Sequence, residues 1–188
     1  MACSISAFSS SSKEILNERD KIFYSCLEKF GSTSVVIKIF SLIMEELSEN
    51  PEQDLLGDIY VDLNLSNNNL GQFFTPYSVS KMMAEMNLAN IKNDFNEKGF
   101  ITISDSSCGA GSTLIAAANI INKNNISLKK DVLFFAQDID MIVALMCYIQ
   151  LFIIGARGMV IIGDSLSNPI TEDTINNANT NENIWIIP

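Results

Sequence analysis

Residues 100–112 read Phe-Ile-Thr-Ile-Ser-Asp-Ser-Ser-Cys-Gly-Ala-Gly-Ser, and this stretch decides the fold. A short apolar run, Phe100 to Ser104, ends at Asp105 and turns through Gly109 and Gly111 into the helical pattern of residues 113–122. A strand that turns through glycine into a helix opens a βαβ unit. The two glycines let the backbone come close to a ligand, and the helix N-terminus offers unpaired N–H groups to a carboxylate or phosphate. A GxG alone is weak evidence, because many strand-to-helix turns use glycine only to turn.

The pattern repeats towards the C-terminus. Val132 to Ala136 precedes a helix from about Ile139 to Ile154, and Met159 to Ile162 ends at Gly163-Asp164. After a long polar loop, Ile184 to Ile187 makes a fourth run, while residues 176–183 (NNANTNEN) read as a low-complexity, mobile loop. Strands alternating with helices predict an α/β fold with a partial parallel sheet of about four strands and ligands at the strands' carboxyl ends. Each of the first three strands runs into an acidic residue: Asp105, Asp138 and Asp164. An acid ending the second strand is the usual partner of ribose hydroxyls, and a third could accept from an adenine amino group. Together they describe a site for an adenosine-containing ligand; the competing reading is that they only cap the following helices.

The first third of the chain reads as helical. Ser11 with Glu14 fits a capping box, and Ile15, Ile22, Phe23, Leu27 and Phe30 recur at helical spacing. A second helix carries Val35, Val36, Ile39, Phe40, Ile43 and Leu47, and a third runs through Leu55 to Leu63 before the polar break at 66–69. These apolar stripes predict a packed core. The chain therefore divides into a helical segment, 1–70, and a ligand-binding domain, 71–188. At the junction stands Gly71-Gln-Phe-Phe-Thr-Pro76, where Thr75 as N-cap and Pro76 at the first helical position start a helix over 77–87. Phe73 and Phe74, two aromatics in a Gly-bounded loop, are also suited to cover an adenine or a methyl donor.

Composition narrows the chemistry. The 188 residues carry 12 Lys+Arg against 22 Asp+Glu, a net charge of −10, and no histidine. Ser-His-Asp and Cys-His catalysis are therefore excluded, and with them the serine-hydrolase reading of Gly163-Asp-Ser-Leu166. So acidic a chain should not grip nucleic acid unaided. Cys3, Cys26, Cys108 and Cys147 are scattered, without a CxxC pair, so neither a disulfide framework nor a metal site is expected. The first dozen residues do not read as a signal peptide, and the longest apolar stretch, Met141 to Ile154, is shorter than the ~20 residues a membrane span needs. The expectation is a soluble cytoplasmic protein with no membrane association.

GQFFTP, then DSSCGAGS, then AQDID, then GDSL, in that order, resemble the N6-adenine DNA methylase family, and especially the methylation subunits of type I restriction-modification systems. The resemblance covers about residues 20–188. It implies a Rossmann-like S-adenosylmethionine-dependent methyltransferase fold, incomplete at the C-terminus, with an N-terminal helical segment. It also implies S-adenosylmethionine as cofactor. Phe73, Phe74, Thr75 and Pro76 would border its methionine and adenine ends. Asp105, Cys108, Gly109 and Gly111 would form the loop at the methionine moiety, with Asp105 near the ammonium. Asp138 would hold the ribose hydroxyls, Ile139 would pack on adenine, and Asp164 would take the adenine amino group.

Two departures stand out. Ser106 occupies a position where the family usually has proline, which loosens the turn. The family's Asn/Asp-Pro-Pro-aromatic motif, whose amide oxygen and proline carbonyl accept from the target amino group while the aromatic stacks on the flipped base, would follow Asn183-Ile-Trp-Ile-Ile-Pro188. It does not occur in these residues. Asn168-Pro169-Ile170 comes before the fourth strand and reads as a loop turn. Two functions remain: an adenine-N6 DNA methyltransferase that works with a partner subunit or the rest of a longer chain, or a catalytically inactive or truncated S-adenosylmethionine-binding module acting as a partner or regulatory subunit. No catalytic residue is assigned. The sheet edge beside the fourth strand should be covered by another subunit, a second copy or a C-terminal extension.

Overall fold

The computed structural model describes residues 1–65 and 73–188. The break at 66–69 and the Gly71-Gln72 part of GQFFTP lie outside the described residues. The sheet forms where expected. Strands β1 (Ile101–Asp105), β2 (Val132–Asp138), β3 (Gly158–Ile162) and β4 (Ile184–Ile187) lie in the order β1-β2-β3-β4. Helix α7 (Ser112–Lys123) crosses from β1 to β2, and α8 (Met141–Ile153) from β2 to β3. Both strand pairs are parallel, with Ile101 opposite Val132 and Phe134 opposite Gly158.

The fourth strand departs from the parallel expectation. It pairs antiparallel to β3, with Ile161 opposite Ile184 and Gly158 opposite Ile187. The reason is the connection. Between β3 and β4 the only helix among the described residues is α9 (Glu172–Asn176), and five residues cannot carry the chain back along the strands. The chain instead folds over one sheet face, where Ala178 packs with Phe135, Met159, Ile161 and Ile184. The segment expected to be a mobile loop thus supplies a core residue.

The other face holds the main core. Helix α8 buries Val143, Ala144, Cys147, Tyr148 and Leu151 against it, each large apolar side chain contributing about 1.5–3 kcal/mol. Tyr148 meets Trp185 of β4 edge-to-face at 5.6 Å, and the guanidinium of Arg19 lies 3.8 Å over the same indole. Arg19 also donates to the carbonyls of Ile184 (2.7 Å) and Glu182, and Tyr148 donates to that of Ile186. Side chains of the chain itself thus satisfy the Ile184 and Ile186 carbonyls of β4. At the opposite edge, Thr102 and Ser104 of β1 are exposed.

Helices α1 (Ala2–Ser6), α2 (Lys13–Phe30), α3 (Thr33–Glu49) and α4 (Leu55–Asp62) precede the sheet, with α5 (Tyr77–Asn87) and α6 (Ile91–Lys98) just before it. Helix α2 is capped by Ser12, whose side chain accepts from the Ile15 N–H, one residue later than the Ser11 reading. Helix α5 starts on Pro76 without a side-chain cap, so Thr75 does not serve as one. The stripes on α2 and α3 bury less than expected. Ile15, Ile43 and Leu47 are in the core, whereas Ile22, Phe30, Val35 and Ile39 are exposed. These two helices pack on each other and α3 touches α8, so a single helical layer leaves its far side to solvent. Among the described residues, no helix is long and apolar enough to cross a membrane.

Candidate functional site

A cavity of ≈ 360 Å³ opens at the carboxyl ends of β1 and β2, within the size range of small-molecule sites. Its floor is the loop after β1. The Cys108 N–H donates to the Gln137 carbonyl (2.9 Å), tying the loop to β2, and the Gly111 N–H closes the turn onto the Cys108 carbonyl (2.8 Å). Gly111 is the N-cap of α7 at φ +101°, where a side chain is strained, and a Cβ there would lie 2.8 Å from Cys147 Sγ. Helix α8 thus packs right against the loop, and only glycine leaves it room.

Asp105 and Asp138 hold this loop in shape. Asp105 accepts from the Ser107 N–H at Oδ1 (3.0 Å) and from the Thr113 hydroxyl at Oδ2. Asp138 accepts from the Gly109 N–H at Oδ2 (2.8 Å) and from the Asp140 N–H at Oδ1 (2.9 Å). These carboxylates thus order the loop and also line the cavity.

Of the eleven residues singled out from the sequence, Phe73, Phe74, Thr75, Asp105, Cys108, Gly109, Asp138 and Ile139 line this cavity. Phe73 and Ile139 are exposed. Phe74 packs its ring 5.7 Å from that of Tyr60 on α4. Pro76 and Gly111 shape the elements beside the cavity without lining it. Asp164 is not brought to it: its carboxylate caps its own turn, accepting from the Leu166 N–H (2.9 Å) and the Ser167 hydroxyl (3.0 Å). Those bonds hold its pKa below the usual carboxylate value.

Sequence reasoning missed Ser107, Ala110, Ser112, Thr113, Val143 and, most consequentially, Asp54. Asp54 is the N-cap of α4, accepting from the Gly57 N–H at 3.0 Å. It is buried, and burial pushes its carboxyl above the ordinary range. The fully buried Gln150 of α8 ties it to the loop: its Nε2 donates to Asp54 Oδ1 (2.8 Å) and the Ala110 carbonyl (2.9 Å), and its Oε1 accepts from the Leu56 N–H (3.1 Å). A second buried tie, between the hydroxyls of Ser80 and Ser112 (2.9 Å), joins α5 to the start of α7.

The chemistry of the lining is one-sided. Asp54, Asp105 and Asp138 contribute three carboxylates, and among the described residues no Lys or Arg lines the cavity. Such a cavity suits a cationic ligand. Nor is it suited to a nucleotide polyphosphate, which needs compensating positive charge. Among the described residues, no group of three or more Cys, Asp or Glu side chains is placed to hold a metal ion.

The model of the family described as N-6 DNA Methylase matches residues 51–184, well over half of the chain and every cavity-lining residue. The chain belongs to the N-6 DNA methylase family. The four-stranded, mostly parallel sheet with its crossover helices is accordingly a Rossmann-like methyltransferase fold. The chain is also similar to the type II restriction enzyme and methyltransferase RM.BcgI of Heyndrickxia coagulans, with 28% identity over 144 residues. That match covers 73% of the chain but only 21% of the relative. No solved structure matches. The family generally uses S-adenosylmethionine.

Proposed function

We propose that the chain is the cofactor-binding part of an S-adenosylmethionine-dependent adenine-N6 DNA methyltransferase of the restriction-modification type. The observation that carries this reading is the cavity beside the glycine loop, lined by three carboxylates and, among the described residues, by no Lys or Arg. S-adenosylmethionine brings a sulfonium and an ammonium, and these carboxylates fit both charges. When bound, the cofactor supplies an electrophilic methyl group. The chain's residues hold and orient it. Asp138 accepts from the ribose hydroxyls at the end of β2, and Ile139 and Phe74 flank the adenine. Asp105, Gly109 and Gly111 shape the loop at the amino-acid end.

DNA is the substrate on this reading, engaged with a partner subunit. The net charge of −10 gives the chain little attraction for phosphate. Asn168 supports no catalytic role. It lies outside the cavity lining, and its carbonyl accepts from Gln137 Nε2 at 2.9 Å as part of a turn.

A second reading, a binding module without transfer chemistry, draws on the direction of β4. Because β4 runs antiparallel to β3, Ile187 stands opposite Gly158, at the end of the sheet away from the cavity. A motif placed directly after this strand would begin at the wrong end of the sheet to reach the methyl donor. Two measurements separate the cases. Isothermal titration with S-adenosylmethionine should show binding that Asp138→Ala weakens more than tenfold; no binding by the wild-type chain refutes both readings. Methyl transfer to adenine-containing DNA by the isolated chain would refute the binding-module reading.

A further inference from the structure

Resting on the proposed S-adenosylmethionine site, we infer that Asp54, carried outside the sheet on α4, is the acceptor for the ammonium of the cofactor's amino-acid end. Three observations lead there. First, Asp105, the acid expected at that position, already spends one acceptor site of each oxygen on its own loop, through the Ser107 N–H and the Thr113 hydroxyl. Asp138 likewise accepts a backbone N–H at each oxygen, and its remaining acceptor sites are those given to the ribose hydroxyls. Second, both hydrogen bonds to Asp54 fall on Oδ1, from Gly57 and Gln150, so Oδ2 is left for a further donor. Third, Asp54 lines the cavity yet is only 3% exposed, and among the described residues no Lys or Arg lines the cavity with it. A carboxylate this far from water needs a positive partner, and a primary ammonium supplies both charge and donors.

The surroundings position the carboxylate for that task. Gln150 fixes Asp54 relative to the Ala110 carbonyl, inside the loop where α7 begins. Gly57 leaves the space it occupies, since a Cβ there would lie 2.3 Å from Asp54 Oδ2 and 2.7 Å from Oδ1. An Asp-x-x-Gly cap therefore sets a short carboxylate where a larger residue at position 57 would displace it. The specificity that follows is for an adenosyl ligand carrying a free amino group.

The test compares two neutral-sulfur ligands by isothermal titration: S-adenosylhomocysteine, which keeps the ammonium, and 5′-methylthioadenosine, which lacks the amino-acid end. Asp54→Asn keeps an acceptor for Gly57 and Gln150, and asparagine remains a good N-cap. This variant should weaken S-adenosylhomocysteine binding at least tenfold and leave 5′-methylthioadenosine within twofold of wild type. Gly57→Ala, which keeps the aspartate but displaces it, should show the same selective loss, with thermal melting confirming that it folds. Equal losses for both ligands would overturn the proposal by making Asp54 structural, and so would unchanged binding of both. A wild-type chain that binds neither ligand refutes the S-adenosylmethionine site itself. Normal wild-type binding with no selective loss in either variant refutes only the assignment of Asp54.

Discussion

The two walls of the cavity are built on different principles. The wall formed by β1, β2 and the glycine loop is local. Asp105 bonds within eight residues of itself, and Asp138 reaches the loop across one strand pair. The wall that carries Asp54 is non-local, held to the loop by Gln150, which lies 96 residues away in the chain. A local wall can form as soon as its strand–turn–helix unit does. The other exists only when α4, α7 and α8 are packed together. The comparison teaches that the first wall gives the site its shape, and the second makes its charge depend on the whole fold.

The largest effect should come from removing the tie between the walls. Gln150→Leu leaves the Leu56 N–H, the Ala110 carbonyl and the Asp54 carboxylate without their buried partner. Groups so stranded cost about 1–3 kcal/mol each, so a loss of roughly 3 kcal/mol or more is expected in denaturant titration. A loss no greater than that of an exposed substitution would show that the walls do not depend on each other.

The pH dependence of stability should come next. Burial holds the Asp54 carboxyl above its ordinary value, so the folded chain binds that proton more tightly than the unfolded chain. The stabilisation is complete below the ordinary carboxylate range and is lost as pH rises through the elevated value. Ligand-free wild type should therefore gain stability relative to Asp54→Asn as pH falls through that window. A difference between the two that does not vary with pH would place Asp54 in water in solution.

The smallest effect concerns the surface beside the walls. Glu52 bridges Lys81 of α5 (2.7 Å) and Lys123 of α7, and these contacts hold its carboxyl below the ordinary range. All three side chains are substantially exposed, where ion pairs contribute little. Glu52→Gln should change the melting temperature only marginally, and by less still in high salt. A large change would mean that α5 and α7 rely on this bridge and not on Ser80 and Ser112.

The same division explains what could be read from the sequence. Phe100 to Ser112 announces a strand, a glycine turn and a helix because each step has a local signature, and eight residues named from local patterns together with the family resemblance line the cavity. Asp54 had none. A lone acid before Leu55-Leu56-Gly57 looks like any helix cap, and its link to residue 150 is visible only in three dimensions. The direction of β4 was hidden for a related reason: four apolar residues carry no orientation, which the connection after β3 sets. The exposure of Ile22 and Phe30 was hidden too, because helical spacing says which face is apolar but not whether anything covers it.

The clamp of Arg19 on β4 bears on the order of events during synthesis. Its firmest hydrogen bond joins positions 165 residues apart. Helix α2 cannot take its final seat until the ribosome has delivered residues 182–187, a wait of about 8 to 30 s at typical elongation rates. Throughout that interval α2 has only α1 and α3 to pack on, and its seat against β4 is missing. That makes it a natural target for a ribosome-associated chaperone, and a variant lacking the Arg19 guanidinium should prolong the engagement beyond the end of translation.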